Sequence, residues 1–323
     1  MALGYDKRLF LLAFDHRSSF EKGFFGATPP LSTEVRDSII RVKEIIFEAN
    51  QLAVEAGAPR DLSGILVDEE FGTAVARRAK EVGTPLAMPV ERSGQDEFEF
   101  QYGTEFGEHI ESFDPTFVKV LVRYNPDGNS DLNARQTDRL AFLSDWLQSR
   151  DHKFLFELLV PATTGQLDAF DGHQDDYDRN LRPKLVVETI ASLQADGVSP
   201  DIWKIEGLDA PEDCVRVVEQ ARAGGRDAVV CIVLGRGADM AKVTQWIRTG
   251  AAVPGCSGFA VGRTLWHAAL SDHLAGKLSA LEAARTIANR YRTLINAYEG
   301  AETQQETRIS APSTSAPGRS RPM

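Results

Sequence analysis

The sequence is short of cysteine and of positive charge, and each shortage excludes something. Its three cysteines are Cys214, Cys231 and Cys256. They have no metal-like spacing, and Cys231 and Cys256 sit in apolar runs, as buried thiols do. That excludes a disulfide scaffold and suits a reducing, cytoplasmic setting. Lysine and arginine number 36 against 47 aspartates and glutamates, for a net charge of −11. Phosphate neutralisation along a nucleic acid needs clustered Lys and Arg, so no nucleic-acid partner is expected. Local basic spots for a small phosphate remain compatible with the sequence. There is no HxH, HExxH or CxxC pattern, so a dedicated zinc site is disfavoured and no cofactor is implied. No apolar run is long enough to span a bilayer. The N-terminus lacks a basic region followed by a long apolar run, so neither a membrane partner nor a signal peptide is expected.

What is present is a repeating alternation. A hydrophobic content of 42% over 323 residues supports a sizeable core in one large domain or two ordinary ones. Apolar runs of strand length fall at Arg8 to Phe14, Ser63 to Asp68, Pro85 to Val90, Thr116 to Val122, His152 to Val160, Asp201 to Gly207, Ala228 to Leu234 and Ser257 to Val261. Segments with helical spacing separate them, the first from Thr33 to Ala56 and the last from Thr264 to about Glu299. The stretch after the fifth strand, with its acidic run Asp171 to Asp178, reads as a long polar, solvated loop. About eight strand–helix units with apolar strands predict a parallel sheet covered by helices, and the closed (β/α)8 TIM barrel fits this length best. A doubly wound open sheet is the rival, weakened because no glycine fingerprint follows the first strand. The barrel is expected over residues 1–299. Residues 300–323 are polar, rich in Pro and Ser, and read as a disordered tail.

In such a barrel the active site lies at the C-terminal ends of the strands. Nearly every strand here delivers charge there: Asp15-His16-Arg17, Asp68-Glu69-Glu70, Glu91-Arg92, Lys119 with Arg123, Glu157, Lys204 with Glu206, Gly235-Arg236 and Gly262-Arg263. A lysine inside an apolar strand costs several kcal/mol unless it is paired or neutral. Lys204, in Asp201-Ile-Trp-Lys-Ile-Glu-Gly207, is therefore either a buried ion-pair member or a lysine kept partly neutral to attack a carbonyl. With Lys119 nearby and Glu157 able to move protons, the catalytic reading is favoured over a structural Lys–Glu network. Two Gly-Arg pairs after adjacent strands suit phosphate: glycine lets backbone N–H groups approach the anion and arginine adds a bidentate clamp. Against that, the glycines would be ordinary turns and the arginines would pair with surface acids. His16 is either a site residue or a structural histidine paired with Asp15. The remaining histidines are scattered and read as structural or exposed, and Trp203 and Trp266 as packing residues.

The strings LLAFDHR (11 to 17), GILVDEEFG (64 to 72), FVKVLVRYNPD (117 to 127), FELLVP (156 to 161), WKIEGLD (203 to 209), VLGRGAD (233 to 239) and GFAVGRTLW (258 to 266) resemble, in this order, a family of class I sugar-phosphate aldolases. The closest resemblance is to 2-deoxy-5-keto-gluconate-6-phosphate aldolase domains of inositol catabolism, often fused behind a sugar kinase. A looser one runs to tagatose-1,6-bisphosphate and sulfofructose-phosphate aldolases. It covers about residues 8 to 298. The resemblance implies that Lys204 is the Schiff-base lysine, that Lys119 and Glu157 handle protons beside it, and that Asp15 binds a substrate hydroxyl or assists at the bond being cleaved. It implies phosphate binding by Arg263 and Gly262, with Gly235 and Arg236 as the other phosphate-side loop. Arg17, Arg92 or Arg123 would serve a second anionic group. The partner implied is a phosphorylated sugar substrate, and association into a homo-oligomer is expected by analogy alone. The chain departs from the family pattern in carrying no kinase part and in the unmatched stretch Pro161 to Asp178. A catalytically silent sugar-phosphate-binding barrel is the reading from another class.

Overall fold

Alternation along short apolar strands decides what fills the interior of this molecule. Residues 2–310 are described by the structure, a computed structural model. The strands are β1 (Leu9–Ala13), β2 (Ser63–Leu66), β3 (Leu86–Pro89), β4 (Phe117–Arg123), β5 (Lys153–Leu159), β6 (Ile202–Glu206), β7 (Val230–Leu234) and β8 (Cys256–Val261). All pair in parallel in sequence order, and β1 closes on β8, with Leu9 opposite Gly258 and Leu12 opposite Val261. The expected (β/α)8 barrel is the observed fold.

Side chains on one face of each strand, among them Leu11, Leu66, Phe117, Leu155, Ile202 and Ile232, form an apolar plug inside the barrel. Those on the other face, such as Phe10, Leu12, Val118, Phe156 and Trp203, pack outward against the helices. Each such buried side chain contributes roughly 1.5–3 kcal/mol. The plug stops below the C-terminal ends of the strands, and charged residues continue the same inward rows above it.

The helices are α1 (Ser18–Gly23), α2 (Thr33–Glu55), α3 (Glu69–Glu81), α4 (Phe106–Phe113), α5 (Ser130–Ser149), α6 (Thr164–Asp168), α7 (Gln174–Asn180), α8 (Arg182–Ala195), α9 (Pro211–Arg222), α10 (Met240–Ala251), α11 (Arg263–Leu274) and α12 (Ala280–Ser310). Several begin where a side chain caps free backbone N–H groups. Asp68 accepts from Phe71 N–H at 2.9 Å, and Asp239 accepts from Lys242 N–H at 2.8 Å.

Two expectations need correction. The stretch after β5 is not a plain solvated loop, because it holds α6 and α7. Thr163 and Gln166 form a reciprocal capping box that starts α6. The Tyr177 hydroxyl donates to the Val160 carbonyl at 2.9 Å and ties α7 to the strand end. The closing helix also passes the expected boundary at residue 299 and runs to Ser310, with Ala301 against the core and Glu302 accepting from Arg8 at 3.0 Å. The rest of the tail expected to be disordered, 311–323, lies outside the described residues. Among the described residues no helix is long and apolar enough to cross a membrane.

Candidate active site

At the C-terminal mouth of the barrel lies a cavity of about 330 Å3, lined by Asp15, Glu91, Lys119, Glu157, Lys204 and Arg263, among others. That volume suits a small ligand. A wider depression of about 880 Å3 opens at the opposite end of the barrel, around Tyr5, Lys80 and Asp151. It has no comparable convergence of buried ionisable groups, so chemistry is assigned to the smaller one.

Strand register builds the floor. Glu157 on β5 stands directly opposite Lys204 on β6 and also opposite Leu121 on β4. Lys119 lies two residues below Leu121 on the same inward row, and is opposite Pro89 on β3. Glu91 continues the β3 row upward, and Asp15 continues the β1 row beyond Ala13. These rows meet as one network. Lys204 Nζ lies 2.7 Å from Glu157 Oε1. Lys119 Nζ lies 3.0 Å from Glu157 Oε2 and donates to Asp15 Oδ2 and to Glu91 Oε1, each at 2.8 Å. Lys204 is 2% exposed and Lys119 is 1% exposed, so water screens these pairs little.

Mutual charge sets the protonation states. Burial works against the Lys119 ammonium, but Asp15, Glu157 and Glu91 together outweigh it and hold Lys119 well above the usual lysine range. Burial likewise works against ionised Asp15 and Glu157, but Lys119 and Lys204 keep both carboxyls below their ordinary values, with His16 assisting at Asp15. Glu91 goes the other way: burial pushes its carboxyl up, and the pull of Lys119 and Arg17 does not compensate. Burial pushes the His16 imidazole down to about 4, aided by Arg263, Lys204 and Lys43 and opposed by Asp15.

Of the sequence-derived candidates, Asp15, Lys119, Glu157 and Lys204 come together in this network. His16 lies beside it, with Nδ1 3.9 Å from Asp15 Oδ1 and its ring edge-on to Trp266 at 5.3 Å. Trp266 Nε1–H donates to the Ala13 carbonyl at 2.9 Å, so this packing residue also fixes the end of β1. Arg263, the first residue of α11, lines the cavity and has no hydrogen-bond or ion-pair partner among the described residues. Its guanidinium lies over Gly237, where an added Cβ would stand 2.8 Å from Nη2. A Cβ on Gly262 would stand 2.4 Å from the Ala13 carbonyl oxygen and 2.9 Å from His16 Cε1. Only glycine therefore fits at the start of α11.

The other two arginines are engaged. Arg236 lines the same side, but Nε is 2.9 Å from Glu206 Oε1 and Nη1 bonds Asp178. Asp178, on α7, also accepts from Arg182 at 3.1 Å, so part of the acidic run is an ion-paired brace. Arg17 is buried and donates to the Glu91 carbonyl at 2.8 Å and to Gln101 Oε1 at 3.4 Å.

Two residues that build the candidate site escaped the sequence reading. Glu91 was noted only as a strand-end charge. Its signal is the inward alternation Ala87, Pro89, Glu91. Lys43 on α2 donates to the Phe14 carbonyl at 2.7 Å and the His16 carbonyl at 3.0 Å, and it pairs with Asp68. It clamps the backbone on both sides of Asp15 to the capped start of α3. Its signal is a lysine on the apolar face of α2, at helical spacing from Ile39, Ile46 and Phe47. Among the described residues no group of three or more His, Cys, Asp or Glu could hold a metal ion.

One protein-family model, described as "Uncharacterized protein conserved in bacteria (DUF2090)", matches residues 4–302. No curated protein matches the chain by sequence. Among solved structures, a fructose-bisphosphate aldolase from Plasmodium falciparum is similar with a TM-score of 0.64 and 13% identity, over 92% of either chain. A Schiff-base-forming fructose-1,6-bisphosphate aldolase is similar with a TM-score of 0.53 and 16% identity, over 87% of this chain and 93% of the other. An archaeal fructose 1,6-bisphosphate aldolase gives 0.54 and 14%, over 88% and 94%. At such identities the likeness is one of fold.

Proposed function

We propose, from the premise that this chain belongs to the DUF2090 family, that it is a Schiff-base aldolase acting on a phosphorylated keto-sugar. The observation that carries the reading is the unbroken chain Lys204–Glu157–Lys119–Asp15 at the floor of the cavity, with unpaired Arg263 at its rim.

Each group has a task that its position suits. The free amine of Lys204 adds to the substrate ketone. Glu157, 2.7 Å away, supplies and removes protons as the carbinolamine loses water to give the iminium. A carboxylate, Asp15 by position, takes the proton of the hydroxyl on the carbon beyond the bond to be broken. The electrons of that C–C bond flow into the iminium, leaving an aldehyde and an enamine. Protonation of the enamine carbon and addition of water return the free lysine and release the ketone product. Lys119 keeps its charge throughout and holds Asp15 and Glu157 ionised in the resting enzyme, so that each starts as a proton acceptor. Arg263 and the α11 N-terminus would take the phosphate.

The substrate we favour is 2-deoxy-5-keto-gluconate 6-phosphate, cleaved to dihydroxyacetone phosphate and malonate semialdehyde. Support comes from the resemblance of the strand-end strings and from a single unpaired arginine at the rim among the described residues. A bisphosphate needs a second cationic pocket, and Arg17, Arg92 and Arg123 are bonded to Glu91, Glu99 and Gln95.

Borohydride trapping tests the reading. The protein is incubated with dihydroxyacetone phosphate, reduced, digested and mapped by mass spectrometry. A reduced adduct on Lys204 is expected. An unmodified Lys204, under conditions that trap a control aldolase, would sink the mechanism and leave a sugar-phosphate-binding barrel.

A further inference from the structure

Arg263 would grip one end of a substrate, and the barrel places a second cation across from it. In the closed ring of eight, β8, which leads into Arg263, and β4 are four strands apart in either direction, so they face each other across the mouth. β6, which carries Lys204, stands two strands from each. The inward row of β4 runs Lys119, Leu121, Arg123, and all three side chains line the cavity. Leu121 is level with Glu157, which is level with Lys204, whereas Arg123 is level with Leu159. Two residues of strand put Arg123 roughly 6–7 Å above the level of the imine-forming lysine.

The charge of Arg123 is unmatched. Its Nη1 donates to the Gln95 carbonyl at 2.9 Å, which anchors the loop after β3 but neutralises nothing. Among the described residues it has no ion-pair partner, and its Nε and Nη2 make no hydrogen bond and are not closed to solvent. The neighbouring carboxylates are engaged elsewhere. Glu97 lies 2.7 Å from Arg135 and 2.6 Å from Arg139. Glu91 is held by Lys119 at 2.8 Å with Arg17 at 3.8 Å, and Glu99 lies 3.2 Å from Arg92. Asp96, beside Gln95, is exposed and makes no bond to Arg123.

A guanidinium on a rigid strand, with its fork open to a cavity, is a receptor for a planar anion. The two ends of the cavity differ in what they suit. Arg263 is joined by the N-terminus of α11, which favours phosphate. Beyond Arg123 the next helix, α5, is already capped, with the Asn129 side chain accepting from Leu132 N–H at 3.0 Å. A single planar fork matches a carboxylate.

Resting on the aldolase reading, we propose that Arg123 is a specificity-determining residue that binds a carboxylate at the end of the substrate remote from the phosphate. The site then selects open-chain keto acids phosphorylated at the far terminus over sugar phosphates that end in an alcohol. Arg123 takes no part in imine formation or proton transfer.

Binding without turnover tests this. 6-Phosphogluconate and glucitol 6-phosphate are open six-carbon chains with phosphate at one end, and they differ in ending in a carboxylate or an alcohol. Neither has a ketone, so neither forms an imine. By calorimetry at one fixed salt concentration, wild type should bind 6-phosphogluconate about ten- to a hundredfold more tightly. Arg123→Met should erase that gap by weakening 6-phosphogluconate alone. Arg123→Lys, which keeps the charge and loses the fork, should keep part of it. Absence of the gap in wild type would overturn the proposal. So would equal weakening of both ligands in Arg123→Met, the result expected if the residue only anchors its loop.

Turnover gives the second reading. In the condensation direction, with dihydroxyacetone phosphate as donor, KM should be lower for malonate semialdehyde than for 3-hydroxypropanal. That preference should close in Arg123→Met with kcat less affected, and a preference left intact would overturn the role. The borohydride adduct on Lys204 should form in the variant as in wild type. Failure of trapping in wild type would strike the aldolase reading, while the calorimetric comparison would still decide the role of Arg123.

Discussion

Glu157 and Lys204 face each other in register across β5 and β6, with Oε1 2.7 Å from Nζ, both nearly closed to solvent. The contact joins the group that would form the imine to the group that would handle its protons.

Lys204→Met keeps the shape of the stem and removes the amine. Turnover should fall by roughly three orders of magnitude or more. Borohydride should then leave no adduct on the protein, while circular dichroism reports an intact barrel. A variant with undiminished turnover would end the Schiff-base mechanism.

Glu157→Gln removes the proton carrier and leaves two lysines less compensated. Loss of general acid–base help costs about 10²–10⁴, so kcat should drop by at least about a hundredfold. The decisive reading is single-turnover imine formation, which should slow in step with kcat.

Arg263→Ala removes the unpaired cation at the rim. A charge-assisted hydrogen bond is worth about 1.5–3 kcal/mol, so KM for a phosphorylated substrate should rise about ten- to hundredfold with kcat less affected. The effect should vanish for an unphosphorylated analogue of the same ketone. An equal effect on both would detach Arg263 from phosphate.

The pH dependence of stability carries a signature of His16. Its folded value, about 4, lies below the ordinary 6.5. Stability from this group is therefore full above 6.5 and is lost as pH falls toward 4, because the unfolded chain takes the proton first. The loss from this one group can reach about 3 kcal/mol. His16→Asn should flatten the urea-derived stability profile across that window.

Lys43 and Asp68 form a pair closed to solvent, below the loop that carries Asp15. Breaking a buried pair by removing one partner costs about 3–5 kcal/mol. Lys43→Met should lower stability by that order, and adding Asp68→Asn should recover part of it, since no uncompensated charge then remains. Urea titrations of the single and double variants measure both steps.

The strands, most helices and the closed barrel were legible because their signals are local. An apolar run of strand length is visible in five residues, as in Val230–Leu234, and a helix face in two turns. The capping box of Thr163 and Gln166 was also there to be read, though a polar stretch obscured it. The helix through Ser310 was missed because its polar composition resembles that of a disordered segment. Lys119, Glu157 and Lys204 stood out because charge inside an apolar strand is costly and needs a reason, and Asp15 because it ends the first apolar run.

By itself, then, the sequence determined the alternation that makes eight strands, the helices that cover them, and the charges that must lie at the strand ends. Only the tertiary structure decided which charges meet. Lys119 reaches Asp15 across 104 residues of chain, and Glu91 joins them through the stagger of closed strands. It also decided that, among the described residues, Arg263 stays unpaired while Arg17 and Arg236 do not. The reason is physical. Secondary structure follows from neighbours along the chain, whereas ion pairing follows from distance and burial, and these exist only once the barrel closes.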